Sequence, residues 1–123
     1  MIKEKYDALV DKLIKATESG KVVWEKTSSK TEYQTKIGDN AVSVGFFDPN
    51  DLANIVIVAQ NFSNYKIHYY LNIYNTKGVQ VDNEERGVND EGYSELENLY
   101  HAARRKYLRV DETLDEILNN LGK

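Results

Sequence analysis

A chain of 123 residues with 41% hydrophobic and 29% charged residues, seven glycines and one proline fits a single globular domain and excludes a collagen-like or strongly disordered chain. The formal charge of −4 provides no general attraction to phosphate backbones or anionic lipid. With no cysteine there is no disulfide framework, thiolate nucleophile or cysteine-held zinc.

Met1-Ile2-Lys3-Glu4-Lys5 opens directly into a charged amphipathic pattern without an apolar signal core. The apolar run Ile55-Val56-Ile57-Val58-Ala59 is far shorter than the ~20 residues of a bilayer span. A cytoplasmic protein without membrane contact is therefore expected. Tyr6, Leu9, Val10, Leu13 and Ile14 share one helical stripe and predict a helix over 3–19, with Gly20 as its stop.

From 21 to 83 the period changes to two. Trp24 is expected to start the sheet. Tyr33, Thr35 and Ile37 alternate with polar residues, Gly38-Asp39-Asn40 turns the chain, and Val42, Val44 and Phe46 resume the inward set. Asp48-Pro49-Asn50-Asp51 reads as a turn before an apolar strand at 54–59. In the strand predicted over 66–74, Ile67, Tyr69, Leu71 and Ile73 face one way and His68, Tyr70, Asn72 and Tyr74 the other. Asn75-Thr76-Lys77-Gly78 joins this strand to Val79-Gln80-Val81 as a short-looped hairpin.

Residues 83–93 read as a polar loop. Ser94 followed by Glu97 predicts a capping box for a helix over 95–107, whose stripe is Leu96, Leu99, Tyr100, Ala103 and Tyr107. Asp111 is the expected N-cap of a last helix over 111–121, with Leu114, Ile117, Leu118 and Leu121 as its apolar face. The fold expected is α+β: a five- or six-stranded, mainly antiparallel sheet packed by one N-terminal and two C-terminal helices, in one domain spanning 1–123.

Few residues suggest reactive chemistry. His101 falls on a helix flank between Glu97 and Arg105, which reads as a solvated ladder of charge rather than a tuned base. His68 lies on a strand face, and no serine sits in a glycine-flanked elbow. Asp82 to Gly87 begins like a calcium loop, but Arg86 and Tyr93 occupy two of its ligand positions. The glycines form no phosphate-binding motif. No metal and no cofactor is expected.

Arg104, Arg105, Lys106 and Arg109 form a basic cluster that is a secondary binding candidate. It lies at a helix end, where cations favour the negative dipole pole, within a stretch (84–123) holding ten acids against six bases. Helix-end stabilisation is the preferred reading over nucleic-acid contact. Nine tyrosines give a stronger signal, because tyrosine offers large contact area with few rotatable bonds. His68, Tyr70, Asn72 and Tyr74, joined by Trp24, form the candidate partner- or ligand-binding stripe. The competing reading is cross-strand packing alone.

The runs Leu96-Glu97-Asn98-Leu99-Tyr100-His101-Ala102-Ala103-Arg104-Arg105 and Val110-Asp111-Glu112-Thr113-Leu114-Asp115-Glu116-Ile117-Leu118 have a familiar pattern, as do Leu13-Ile14-Lys15-Ala16-Thr17 and Gly20-Lys21-Val22-Val23-Trp24-Glu25. Together they resemble small, poorly characterised bacterial and mobile-element α+β proteins built from an N-terminal helix, an antiparallel meander and a C-terminal helix pair. The resemblance implies a role in regulation, immunity or inhibition and supplies no site residues. The expected function is a non-enzymatic cytoplasmic module that recognises a protein through the sheet face or the 83–93 loop, as an inhibitor or immunity-type protein. The competing class is a small-ligand binder or enzyme with a pocket near His68, Tyr70 and Tyr74. A homodimer is a third reading.

Overall fold

Alternation in the central strands decides which way the chain folds. The computed structural model describes residues 2–48 and 67–122. In chain order these form α1 (Ile2–Glu18), β1 (Glu25–Lys26), β2 (Glu32–Ile37), β3 (Asn40–Phe47), β4 (His68–Tyr74), β5 (Gln80–Gly87), α2 (Tyr93–Leu108) and α3 (Val110–Leu121). Among the described residues five strands make one antiparallel sheet in the order β1-β2-β3-β4-β5. The fold is α+β, with one N-terminal and two C-terminal helices. The strand expected at 54–59 lies outside the described residues.

Period two assigns Tyr33, Val42, Val44, Tyr69 and Leu71 to one face of the sheet, where they meet Tyr6, Val10 and Leu13 of α1 and Leu96, Leu99, Tyr100 and Ala103 of α2. Leu71, Leu96 and Leu99 are wholly buried, and each contributes about 1.5–3 kcal/mol by leaving water. Gly20, at φ +79°, ends α1 as expected: Lys21 N–H reaches back to Ala16 O at 2.9 Å. The hairpin at 75–78 also forms, with Asn75 Oδ1 accepting from the amides of Lys77 and Val79 and Gly78 at φ +79°.

Five expectations are corrected. The polar stretch from 83 is not loop throughout, because β5 runs to Gly87 and pairs with β4 without interruption from Asp82 to Gly87. Its helix-facing residues are Asp82, Glu84 and Arg86, opposite Ile73, Leu71 and Tyr69, so apolar periodicity could not reveal it. The capping box at Ser94 is not made. Gly92, at φ +85°, precedes α2 with no side-chain cap, and Glu97 instead lies against the Tyr69 hydroxyl.

Asp111 is not the N-cap of α3. That position is Arg109, in the left-handed conformation at φ 55° and ψ 48°, and Asp111 belongs to the first turn. Trp24 starts no outward stripe: it is 4% exposed, on the helix side, and its Nε1 donates to Thr17 Oγ1 at 2.9 Å. Finally, α3 does not pack its apolar stripe on the sheet. α1 and α2 already fill that face, Arg109 redirects the chain, and no residue of α3 is buried.

Candidate functional site

Four of the five sequence-predicted site residues do share a sheet face. His68, Tyr70, Asn72 and Tyr74 alternate along β4 away from the helices, opposite Phe47, Gly45, Ser43 and Ala41 of β3. Polar atoms and rings of His68, Tyr70 and Asn72 are engaged with side chains on other strands of the sheet. The His68 ring stacks on Phe47 at 5.1 Å between centroids, and its Nε2 lies 3.9 Å from Glu85 Oε1. Asn72 Oδ1 accepts from Asn83 Nδ2 at 2.6 Å.

Tyr70 lies across Gly45 to donate its hydroxyl to Glu32 Oε1 at 3.0 Å, two strands away. A Cβ at Gly45 would overlap the Tyr70 ring, so the glycine in mid-strand makes room for the aromatic opposite it. Cross-strand packing, the plainer of the two readings, accounts for these contacts.

Ser43 lies in the same rows at 0% exposure, and its hydroxyl makes no hydrogen bond to any described residue. An orphaned buried hydroxyl costs about 1 kcal/mol or more, so Ser43→Ala is expected to raise stability by about 1 kcal/mol in urea unfolding.

The tyrosines on the helix side form a second cluster. Tyr69 is ringed by Phe46, Tyr93 and Tyr100 at 4.9–5.5 Å, and its hydroxyl lies 3.4 Å from both Glu97 Oε2 and His101 Nε2. The expected solvated ladder of Glu97 and His101 thus meets a buried phenol, a contact the sequence pattern gave no sign of. Burial, reinforced by Glu97, pushes the Tyr69 phenol up to about 12. Burial also raises Tyr6, beside Asp82, and Tyr70, beside Glu32.

A raised tyrosine pKa means the folded state keeps a proton that the unfolded chain loses. The associated stability is complete below the ordinary value of 10.0 and disappears as pH climbs through about 12 for Tyr69. Thermal unfolding midpoints are therefore expected to fall steadily above pH 10, with tyrosinate absorbance lagging in the folded protein. Tyr69→Phe should flatten part of that decline.

Among the described residues Arg86 is the charged side chain buried in the interior, only 3% exposed. Its Nη2 bonds Asp7 Oδ1 at 2.7 Å and lies 3.4 Å from Glu84 Oε2, and its Nη1 donates to Gly92 O at 3.1 Å. β5, α1 and the turn before α2 are thereby tied together, which reads as structural. Among the described residues no group of three or more His, Asp or Glu side chains converges as a metal site.

The secondary candidates Arg104, Arg105, Lys106 and Arg109 are exposed at the end of α2. Arg109 N–H donates to Lys106 O at 3.2 Å, closing the helix. Arg105 and Lys106 share a groove of about 270 Å³ with Glu18, Asp111 and Glu112. Two other grooves, of about 580 and 280 Å³, lie beside Lys21, Val23 and Lys36 and beside Asp7, Ile14 and Arg86; His68, Tyr70 and Tyr74 line neither.

The surface that sequence reasoning missed is α3. Leu114 (51% exposed), Ile117 (49%), Leu118 (64%) and Leu121 (78%) lie along one face of a helix with no buried residue. The stripe itself was legible; its exposure was not, since a core-facing helix shows the same spacing. Among the described residues no helix is long and apolar enough to cross a membrane. The chain matches no protein-family model, no curated protein and no solved structure.

Proposed function

We propose that this chain is a non-enzymatic cytoplasmic protein-binding module, of the inhibitor or immunity type, that docks through the apolar face of α3. The observation that carries the reading is the run of four large aliphatic side chains, Leu114, Ile117, Leu118 and Leu121, exposed by 49–78% on one helix. A contiguous apolar patch held in water favours association, because its burial removes area from solvent without unfolding anything. The stripe on β4 is the weaker candidate surface, since Tyr70, Asn72 and His68 already spend their contacts on neighbours.

A photo-crosslinking amino acid in place of Leu118 or, separately, of Tyr74 tests this in cells. A discrete protein adduct from position 118 and none from 74 is expected. Adducts from position 74 alone would move the binding surface to the sheet. A small molecule bound beside Tyr70 and Tyr74 and turned over there would replace the reading with the ligand-binding one.

A further inference from the structure

We infer that the partner of α3 is a basic amphipathic helix, with an aliphatic stripe flanked by lysine or arginine; this rests on the reading of α3 as the docking face. Leu114, Ile117, Leu118 and Leu121 stand at i, i+3, i+4 and i+7, the spacing by which one helix inserts its apolar face against another. A helix of 12 residues is marginal by itself in water, so α3 gains from any partner that covers this stripe.

Charge selects among the occupants. α3 carries Asp111, Glu112, Asp115 and Glu116 and no lysine or arginine. Asp111 and Asp115 follow the edge of the stripe occupied by Leu118, the other edge is the uncharged pair Thr113 and Asn120, and Glu112 and Glu116 lie on the opposite face of the helix. Asp111 and Glu112 share a groove with Arg105 and Lys106 of the same chain, whereas Asp115 lies one turn further along, beside the middle of the stripe. The last turn of α3 contains no cation to offset the negative dipole pole. A second copy packed α3 to α3 would bring two such acidic helices together, each with a cation only at its N-cap, Arg109, and like charges along their length repel. A cationic helix meets the apolar stripe, its acidic border at Asp111 and Asp115, and the helix C-terminus at once.

Two synthetic peptides of about 18 residues (five turns), sharing one leucine stripe but flanked by lysine in one and glutamate in the other, test the inference on the full chain. The lysine peptide is expected to bind at least about tenfold tighter than the glutamate peptide, with amide shifts confined to α3 and its junction with α2, and to weaken as salt is raised. Leu114→Ser with Leu118→Ser should abolish binding without lowering the thermal midpoint, since neither side chain is buried. Asp115→Lys with Glu116→Lys, which brings the side-chain charge of the helix from −4 to zero, should erase the preference.

Equal or tighter binding of the glutamate peptide overturns the basic-helix inference and leaves α3 as a docking face. A dimer in sedimentation equilibrium that Leu118→Ser dissolves does the same, naming a second copy as the occupant. A monomer that binds neither peptide overturns both the inference and the docking face.

Discussion

Arg86→Ala is expected to lower the unfolding free energy by about 3 kcal/mol in urea at neutral pH. The guanidinium is 3% exposed and bridges Asp7 on α1, Glu84 on its own strand and the carbonyl of Gly92 before α2. Removing one member of a buried charge set usually costs about 3–5 kcal/mol, because the remaining groups lose compensation they cannot replace. The figure belongs at the lower end, since the Asp7 side chain is 47% exposed and water can resolvate it. Arg86→Met keeps the aliphatic stem packed and should lose visibly less. A loss below about 0.5 kcal/mol for Arg86→Ala would place the group among ordinary surface ion pairs instead.

Gly92→Ala is expected to cost more, about 4 kcal/mol, through two separable effects. At φ +85° a residue with a Cβ loses roughly 1–2 kcal/mol relative to glycine. The new methyl would also overlap Nη1 and Cζ of Arg86 and push the guanidinium away from its carbonyl and from Asp7. In an Arg86→Ala background only the backbone share should remain, so the double-mutant cycle should show a coupling of about 2 kcal/mol. Additive losses would mean that Gly92 matters for its backbone angle alone.

These two residues mark where the sequence stops being legible. The apolar periodicities at 6–14, 33–46, 69–73 and 96–103 carry the α+β architecture, because each element buries one face and the period reveals which. β5 escapes this logic: Asp82, Glu84 and Arg86 face the helices, so its inward set reads as a polar loop until Asp7 and Tyr6 are seen opposite it. The α2 start at Gly92 was hidden for a related reason. A glycine chosen for an arginine that bonds its carbonyl leaves no mark in local sequence, whereas Ser94 and Glu97 satisfied a local rule that tertiary contact overrode.

The candidate site was legible in its membership and not in its surroundings. Alternation placed His68, Tyr70, Asn72 and Tyr74 together, but it could not show that Tyr70 reaches Glu32 over Gly45. Trp24 was grouped with them as an aromatic at the start of the sheet, although the hydrogen bond to Thr17 holds it on the opposite side. For α3 the error ran the other way. An amphipathic stripe implies burial against something, and nothing in the pattern says whether that something is the same molecule.

The polar inner side of β5 also governs how the sheet ends. A foreign strand adding beyond β5 would extend a surface whose helix-facing row already holds Asp82, Glu84 and Arg86, so its own apolar side chains would find carboxylates and a guanidinium for neighbours. At the far margin β1 offers two residues of ladder, too short a template for growth. Both borders of the described sheet thus discourage fibril-like stacking, which leaves the aliphatic face of a separate helix as the surface open to association.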